Sequence, residues 1–493
     1  MLSATWIFLA ALLVPCTSAS AVRPSFNPLH HSGPASPYFD APELFGISPD
    51  LPAGCVVDKA SYIMRHGARF PEPGSFNGWV NLYSKLQNAS YTASGDLTFL
   101  PSWVPPVDDA PHEPLFLTSH GATEAFTLGS QLRGRYQMTK GGDNFTVWSA
   151  GQQRVVDTAT YFLRGYLSQG NYRNASDANR GTVLFMPDSV ASTGADSLTA
   201  SAACPAYSGN DGSNKATAFR ATFQPAVAKR LNTMLKGLTL NATDVGVMQD
   251  LCGFSFVING DKRFCNIFTE QEWQDYEYAH DLNYYYGSGP GNPLAGTTAF
   301  PWLAAMTELF TSTNTSTEGF VPPSLIISAT HDNDIPPVAA ALGILNSSTS
   351  HGVFPLSPTR PDPRRTFFAS NIVNFLGHIA IERLSCEAPA GHSVQHVANK
   401  LTAVPGTGAS AKKYIRVLVN NAVVPLPTCQ NGPGKSCGLA DFATYVQKRG
   451  EVLGDFDKRC NVSTTTSVPD TVDFYTNPTS VAAAVSRLDL PVL

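Results

Sequence analysis

Three times along this chain a short apolar run stops at a small polar cluster and gives way to a helical rhythm. Ala60-Ser61-Tyr62-Ile63-Met64 reads as a strand running into Arg65-His66-Gly67. The spacing of Trp79, Leu82, Tyr83 and Leu86 then predicts a helix over 76–86. Phe145-Thr146-Val147-Trp148-Ser149 reads as a second strand, passing through Gly151 into a helix that bears Arg154, Val155, Thr158, Tyr161, Phe162 and Leu163. Behind Pro322 and Pro323, Ser324 to Ala329 is a continuous run of the kind buried on both faces. It ends at Thr330-His331-Asp332, and a helix is expected from Ile335 through Leu345, with Pro336 and Pro337 in its first turn. A further helix is expected over 118–136, capped by Thr118 or Ser119.

Units of this kind build a sheet covered by helices, with ligands bound beyond the carboxyl ends of the strands. The expected class is α/β. Residues 155–300 are strand-poor, small and polar over 170–220 and helical and aromatic over 221–288. They are expected to form a mainly helical insertion between the two parts, 55–154 and 301–493, of a discontinuous α/β domain. Residues 21–54 are rich in Pro, Ser and His and are expected to form an extended, solvated arm that includes His30-His31.

The net charge of −5 is too near neutral for a protein that binds nucleic acid by neutralising phosphates. Residues 1–20 have the form of a secretory signal peptide, with an apolar run from Trp6 to Val14 too short to span a bilayer. No later run is long and apolar enough to cross a membrane, and Arg487 and Asp489 near the end argue against a lipid anchor. There are nine cysteines, and removal of the signal takes Cys16 with it, leaving an even set for disulfides. Cys252 with Cys265, and Cys429 with Cys437, would each close a short loop. Asn88, Asn144, Asn174, Asn241, Asn314, Asn346 and Asn461 all stand in Asn-x-Ser/Thr sequons. Together these features predict a secreted glycoprotein.

The chemistry concentrates in Arg65-His66-Gly67-Ala68-Arg69-Phe70-Pro71. An imidazole nitrogen can attack phosphorus and hold the phosphoryl group covalently. Flanking guanidiniums can clamp its oxygens, and they disfavour the imidazolium. Gly67 would let the backbone approach the phosphate. Five fixed positions at this spacing arise by chance on the order of 10⁻⁴ times in a chain of this length. Other patterns carry less. Gly432-Pro433-Gly434-Lys435-Ser436 ends like a nucleotide-binding loop, but Cys429 stands where its leading Gly belongs, so a turn is expected. The sequence shows no zinc-binding helix and no nucleophile elbow, and neither metal nor cofactor is expected.

The chain resembles the histidine acid phosphatases, within the histidine phosphatase superfamily, and most of all the secreted fungal branch that includes phytases. His66 matches the nucleophile of the family's Arg-His-Gly-x-Arg-x-Pro motif, His331-Asp332 its later His-Asp, and Arg154 its intervening Arg. The stretch Asp281 to Ala295, with Tyr284-Tyr285-Tyr286-Gly287 and Gly289-Pro290-Gly291-Asn292-Pro293, is also similar to the fungal members. The resemblance implies a mixed central sheet flanked by helices with a smaller helical domain, and disulfides Cys55–Cys386 and Cys204–Cys460 beside the two local ones. It also implies roles. His66 attacks phosphorus; Arg65, Arg69, Arg154 and His331 hold its oxygens; Asp332 protonates the leaving alcohol and an acidic optimum follows.

Alternatives stay open at this level. His280-Asp281 is a second His-Asp pair, expected on a polar helix surface, and Arg133 or Arg135 could take the place of Arg154. Glu72, Glu270 and Glu272 could give the pocket an acidic rim that confines phytate binding to low pH. The implied partner is a small-molecule phosphate monoester, phytate or a broader set. A phosphoglycerate mutase-like phosphotransferase and a non-catalytic glycan-binding protein are the competing functions.

Overall fold

The computed structural model describes residues 26–136, 144–168, 180–188, 191–312, 323–346, 355–387, 411–462, 468–476 and 486–491. The expected signal peptide and the sequons at Asn174 and Asn314 lie outside the described residues. Along the chain run β1 (Cys55–Arg65), α1 (Pro73–Gln87), β2 (Thr92–Ala93), α2 (Ser119–Tyr136), β3 (Asn144–Ala150), α3 (Gln153–Leu167) and β4 (Arg180–Met186). Then come α4 (Asn210–Asn232), β5 (Leu235–Lys236), α5 (Ala242–Asn259), α6 (Glu270–Gly287) and α7 (Ala295–Thr311). The last third adds β6 (Leu325–Thr330), α8 (Ile335–Leu342), β7 (His378–Cys386), β8 (Lys412–Val419), β9 (Ala422–Val424), β10 (Cys437–Gly438), α9 (Leu439–Leu453), α10 (Phe456–Cys460) and β11 (Ser486–Pro491).

The main sheet has the order β10-β8-β7-β1-β6-β3-β4-β11, with β9 beside β8. β1, β6, β3 and β4 are parallel neighbours, while β7, β8, β10 and β11 join antiparallel, so the sheet is mixed. β6 lies near the middle and is buried at every residue, which is why its sequence is an unbroken apolar run. α3 packs on β3, β4 and β6 and carries α2; α8 packs on β1 and β7 and is joined by α7 and α9. Register sets Arg65 beside Thr330 and Ser149 beside Ala329, so three parallel strands end at one level. Beyond that level lie the three polar clusters.

Two expectations fail here. β4 lies inside 155–300, yet it pairs with β3 along its whole length, from Asn144 opposite Arg180 to Ala150 opposite Met186. α3 is therefore a crossover within the α/β part, and the sheet continues to residue 186. The apolar core of β4, Val183-Leu184-Phe185-Met186, is short, and the polar residues around it hid it. The helices α4, α5 and α6 pack on one another after it. The segment after residue 25 is also not a solvated arm. Leu29, Ser32, Gly33, Ala35 and Ser36 are buried, and the Gly33 N–H donates to Ser370 Oγ at 3.0 Å. Its small residues permit contact with the helices: a Cβ on Gly253 of α5 would sit 2.2 Å from Ala35 O. His30 stacks on Phe39, and His31 Nδ1 lies 3.0 Å from Glu277 Oε2.

Disulfides join Cys55 to Cys386, Cys204 to Cys460, Cys252 to Cys265 and Cys429 to Cys437. The first ties the start of β1 to the end of β7. Gly432–Ser436 is a turn within the last loop, with Gly434 at φ 62°. Among the described sequons, Asn88, Asn144, Asn241 and Asn461 are exposed and Asn346 is half-buried. No helix among the described residues is long and apolar enough to cross a membrane.

Candidate active site

His66 follows the last residue of β1 and is stitched from both sides. Its N–H donates to Thr330 O at 2.9 Å, and its carbonyl accepts from Leu376 N at 3.1 Å. The Gly67 N–H donates to Thr158 Oγ1 of α3 at 2.9 Å, and that hydroxyl donates to Arg154 O at 2.7 Å. Gly67 is needed for a reason other than phosphate approach. A Cβ there would lie 2.8 Å from Gly121 O, and one on Gly121 would lie 2.1 Å from Ala68 O. The start of α2 thus presses its backbone directly on the loop.

The His66 ring is fully buried. Its Nδ1 lies 2.9 Å from Gly67 O. A carbonyl only accepts, so Nδ1 carries the proton and Nε2 keeps its lone pair. Nε2 is buried and makes no hydrogen bond. Burial, and then Arg65, Arg154, Arg69 and His331, push the ring's pKa well below its usual value. The imidazole is therefore neutral in mild acid.

Three guanidiniums surround it. Arg65 donates from Nη1 to Pro34 O and Val373 O, both at 2.5 Å, and lies over the Phe375 ring at 4.4 Å. Its Nη2 is 3.1 Å from Asp332 Oδ2. Arg69 holds Phe70 O at 2.9 Å and Glu72 Oε2 at 2.8 Å. Arg154, in the first turn of α3, places Nη2 3.3 Å from His331 Nδ1. His331 Nε2 lies 2.9 Å from Asp188 Oδ2 and donates there, which aims the Nδ1 edge of the ring at the cluster. The rings of His66 and His331 are 5.9 Å apart, edge to face.

Asp332 Oδ2 also accepts from the Tyr284 hydroxyl at 2.8 Å, and Oδ1 accepts from the Asn333 N–H at 3.0 Å. Burial alone would raise its pKa, but Arg65, Arg69, the Tyr284 hydroxyl and His331 outweigh burial and bring it down to about 2. Asp334, two residues on, is raised to about 7, chiefly by burial.

Arg65, His66, Arg69, Arg154, His331 and Asp332 thus come together from two strand ends, those of β1 and β6, and the start of α3. Arg133 and Arg135 do not join them: Arg133 lies over the Tyr166 ring, and Arg135 pairs with Glu382 at 2.9 Å. His280 and Asp281 are buried rather than on a polar surface, because Asp281 accepts from Arg365 Nε at 2.5 Å and Ala369 N at 2.6 Å. Of the three rim candidates, only Glu72 meets a guanidinium of the cluster. Glu272 is bound to Arg230 and to the N-terminal cap of α6, and Glu270 begins that helix. Sequence reasoning missed Asp188 and Tyr284. Asp188 stands in a stretch with no helical or strand rhythm, and Tyr284 is one of three consecutive tyrosines that the pattern alone does not separate.

The model of the histidine phosphatase superfamily (branch 2) matches residues 56–420. The phytase PHO112 of Candida albicans is 30% identical over 475 residues, covering 93% of this chain and 92% of its own. The acid phosphatase PHO1 of Komagataella pastoris is 30% identical over 459 residues, covering 91% and 90%. The crystal structure of the phytase from D. castellii superposes with a TM-score of 0.78 at 26% identity, over 94% of this chain and 93% of that one. The chain belongs to the histidine acid phosphatases, in branch 2 of the histidine phosphatase superfamily.

Proposed function

We propose that the protein is a secreted acid phosphomonoesterase, with phytate among its substrates, working through a phosphohistidine at His66. The observation that carries this reading is the buried, unbonded Nε2 of His66 with three guanidiniums around it. A lone pair held this way, in a positive cage, suits attack on the phosphorus of an anionic ester.

Arg65, Arg69, Arg154 and His331 bind the phosphoryl oxygens. A monoanionic ester that engages Arg65 competes with Asp332 for that guanidinium, so Asp332 gains proton affinity and can take the ester's own proton. Nε2 then forms the N–P bond as the P–O bond to the alcohol breaks, and Asp332 hands its proton to the departing oxygen. Water attacks phosphorus next. Asp332 accepts a water proton, the N–P bond breaks, and phosphate leaves. The carboxyl beside the guanidiniums and the acid phosphatase and phytase names of the relatives favour hydrolysis over phosphoryl transfer between hydroxyls. The four disulfides fit an oxidising, extracellular location.

The test is phosphate release from a panel of esters, phytate included, across acid pH, with His66→Ala as control. Release that depends on His66 is the expected result. Full turnover by His66→Ala, or phosphate passed only to another hydroxyl, overturns the reading.

A further inference from the structure

Tyr284 belongs to α6, in the helical group, whereas Asp332 follows the end of β6. Their side chains meet over the cluster, with the Tyr284 hydroxyl 2.8 Å from Asp332 Oδ2. The same oxygen faces Arg65 Nη2 at 3.1 Å, while Oδ1 is taken by the Asn333 N–H at 3.0 Å. Tyr284 is only 5% exposed, so its hydroxyl is held in place by its surroundings. Every donor to Oδ2 therefore comes from outside the turn that carries Asp332.

We infer that Tyr284 is the positioning residue for Asp332: its hydroxyl fixes the oxygen that passes a proton to the leaving alcohol, and stays with it when Arg65 turns to the phosphate. This rests on the reaction proposed above. A guanidinium only donates, so Arg65 serves the carboxylate alone. A phenol donates to the carboxylate and, by rotating its hydrogen, accepts from the carboxylic acid. One contact thus serves both protonation states through the cycle. Burial and then Asp332 itself hold the Tyr284 pKa well above 10, so the hydroxyl keeps its hydrogen at every working pH. The other groups that act on Asp332 are charged or become so: Arg65 from β1, Arg69 from the loop after it, Arg154 from α3, and His331 and Asp334 from its own turn. All of them remain when the Tyr284 hydroxyl is removed, which isolates its effect.

The sign follows from the chemistry. Asp332 must be protonated to act as acid, so kcat falls as pH rises through its pKa in the substrate complex. Tyr284 favours the carboxylate on balance, so Tyr284→Phe raises that pKa and moves the alkaline limb of kcat upward by about one pH unit. With the acid less well aimed, kcat for an alkyl phosphate drops about tenfold. p-Nitrophenyl phosphate, whose leaving group needs little protonation, drops much less. A chain carrying 3-fluorotyrosine in place of Tyr284 has a stronger donor in the same space, and its limb moves downward. That chain keeps the question answerable even if Tyr284→Phe folds poorly. An unmoved limb with equal losses on both esters, or a fluorinated chain whose limb moves upward, overturns the inference and leaves Tyr284 as packing. His66→Ala is run alongside. If it is inactive while the limbs of both Tyr284 variants stay put, only this inference fails; if it is active, the reaction itself fails.

Discussion

Nδ1 of His66 lies 2.9 Å from the carbonyl oxygen of Gly67, and this contact leaves Nε2 as the nitrogen with a free lone pair. The proton is held on Nδ1, so phosphorylation is expected on Nε2. Labelled ester mixed with the enzyme and quenched into alkaline detergent should leave label on the His66 peptide as the Nε2 isomer. His66→Ala should show no label and at least about a 10³-fold loss of kcat. Because burial and the guanidiniums depress the ring's pKa, activity should persist as pH falls through 6 and decline only where His66 finally takes a proton.

Arg154 reaches the cluster from the start of α3 and meets His331 at 3.3 Å, joining two of the strand-turn-helix units. In the proposed reaction it clamps the phosphate while bracing His331. Arg154→Ala is expected to lower kcat/KM by about 10²–10³-fold. Arg154→Lys keeps the charge but loses the fork, so it should recover only part of that loss. Equal activity of the lysine variant and the parent would show that charge alone matters.

Asp334 should make stability rise in mild acid. Thr330 Oγ1 lies 2.7 Å from Leu198 O and 3.1 Å from Asp334 Oδ2. A hydroxyl has one hydrogen, and the shorter contact takes it, so the Asp334 contact is satisfied when Asp334 supplies a proton. Its folded pKa of about 7 lies above the ordinary 3.8. The stabilising contribution is full below pH 3.8 and is lost as pH rises to 7. Asp334→Asn should therefore melt higher than the parent at pH 8, with the gap closing by pH 4. Parallel melting curves at both pH values would refute this.

Glu72 pairs with Arg69 at 2.8 Å and is expected to compete with substrate for it. Burial opposes its ionisation, but Arg69 and the hydrogen bonds around it keep its pKa below the usual value, so the competition persists into acid. Asp250, raised to about 6 chiefly by burial, is within electrostatic range of Glu72. Phytate carries many negative charges, so its kcat/KM relative to p-nitrophenyl phosphate should rise only as pH falls below the usual glutamate range, where Glu72 takes a proton. Glu72→Gln should raise that ratio about two- to fivefold above pH 5 and less at pH 2.5. A ratio flat from pH 2.5 to 6 in the parent would remove the acidic rim from the account.

What the sequence made legible was whatever local order controls. The strands ending at Arg65 and Thr330 declared themselves because apolar runs stop abruptly at polar clusters, and His66 was visible because its neighbours in the chain are also its neighbours in space. Tyr284 and Asp188 act on residues 48 and 143 positions away. No periodicity reports such a contact. β4 escaped notice because its apolar core is four residues long, and the segment around Gly33 because small, polar-looking residues are also those that fit between closely packed helices.

The backbone oxygens of Pro34 and Val373 that grip Arg65 come from segments far apart in the chain. The leading segment is thus built into the phosphate pocket. Proteolytic trimming that removed residues through Pro34 would spare every charged side chain of the cluster and still slacken the guanidinium next to His66, so any cleavage that leaves a fully competent enzyme must fall upstream of that proline.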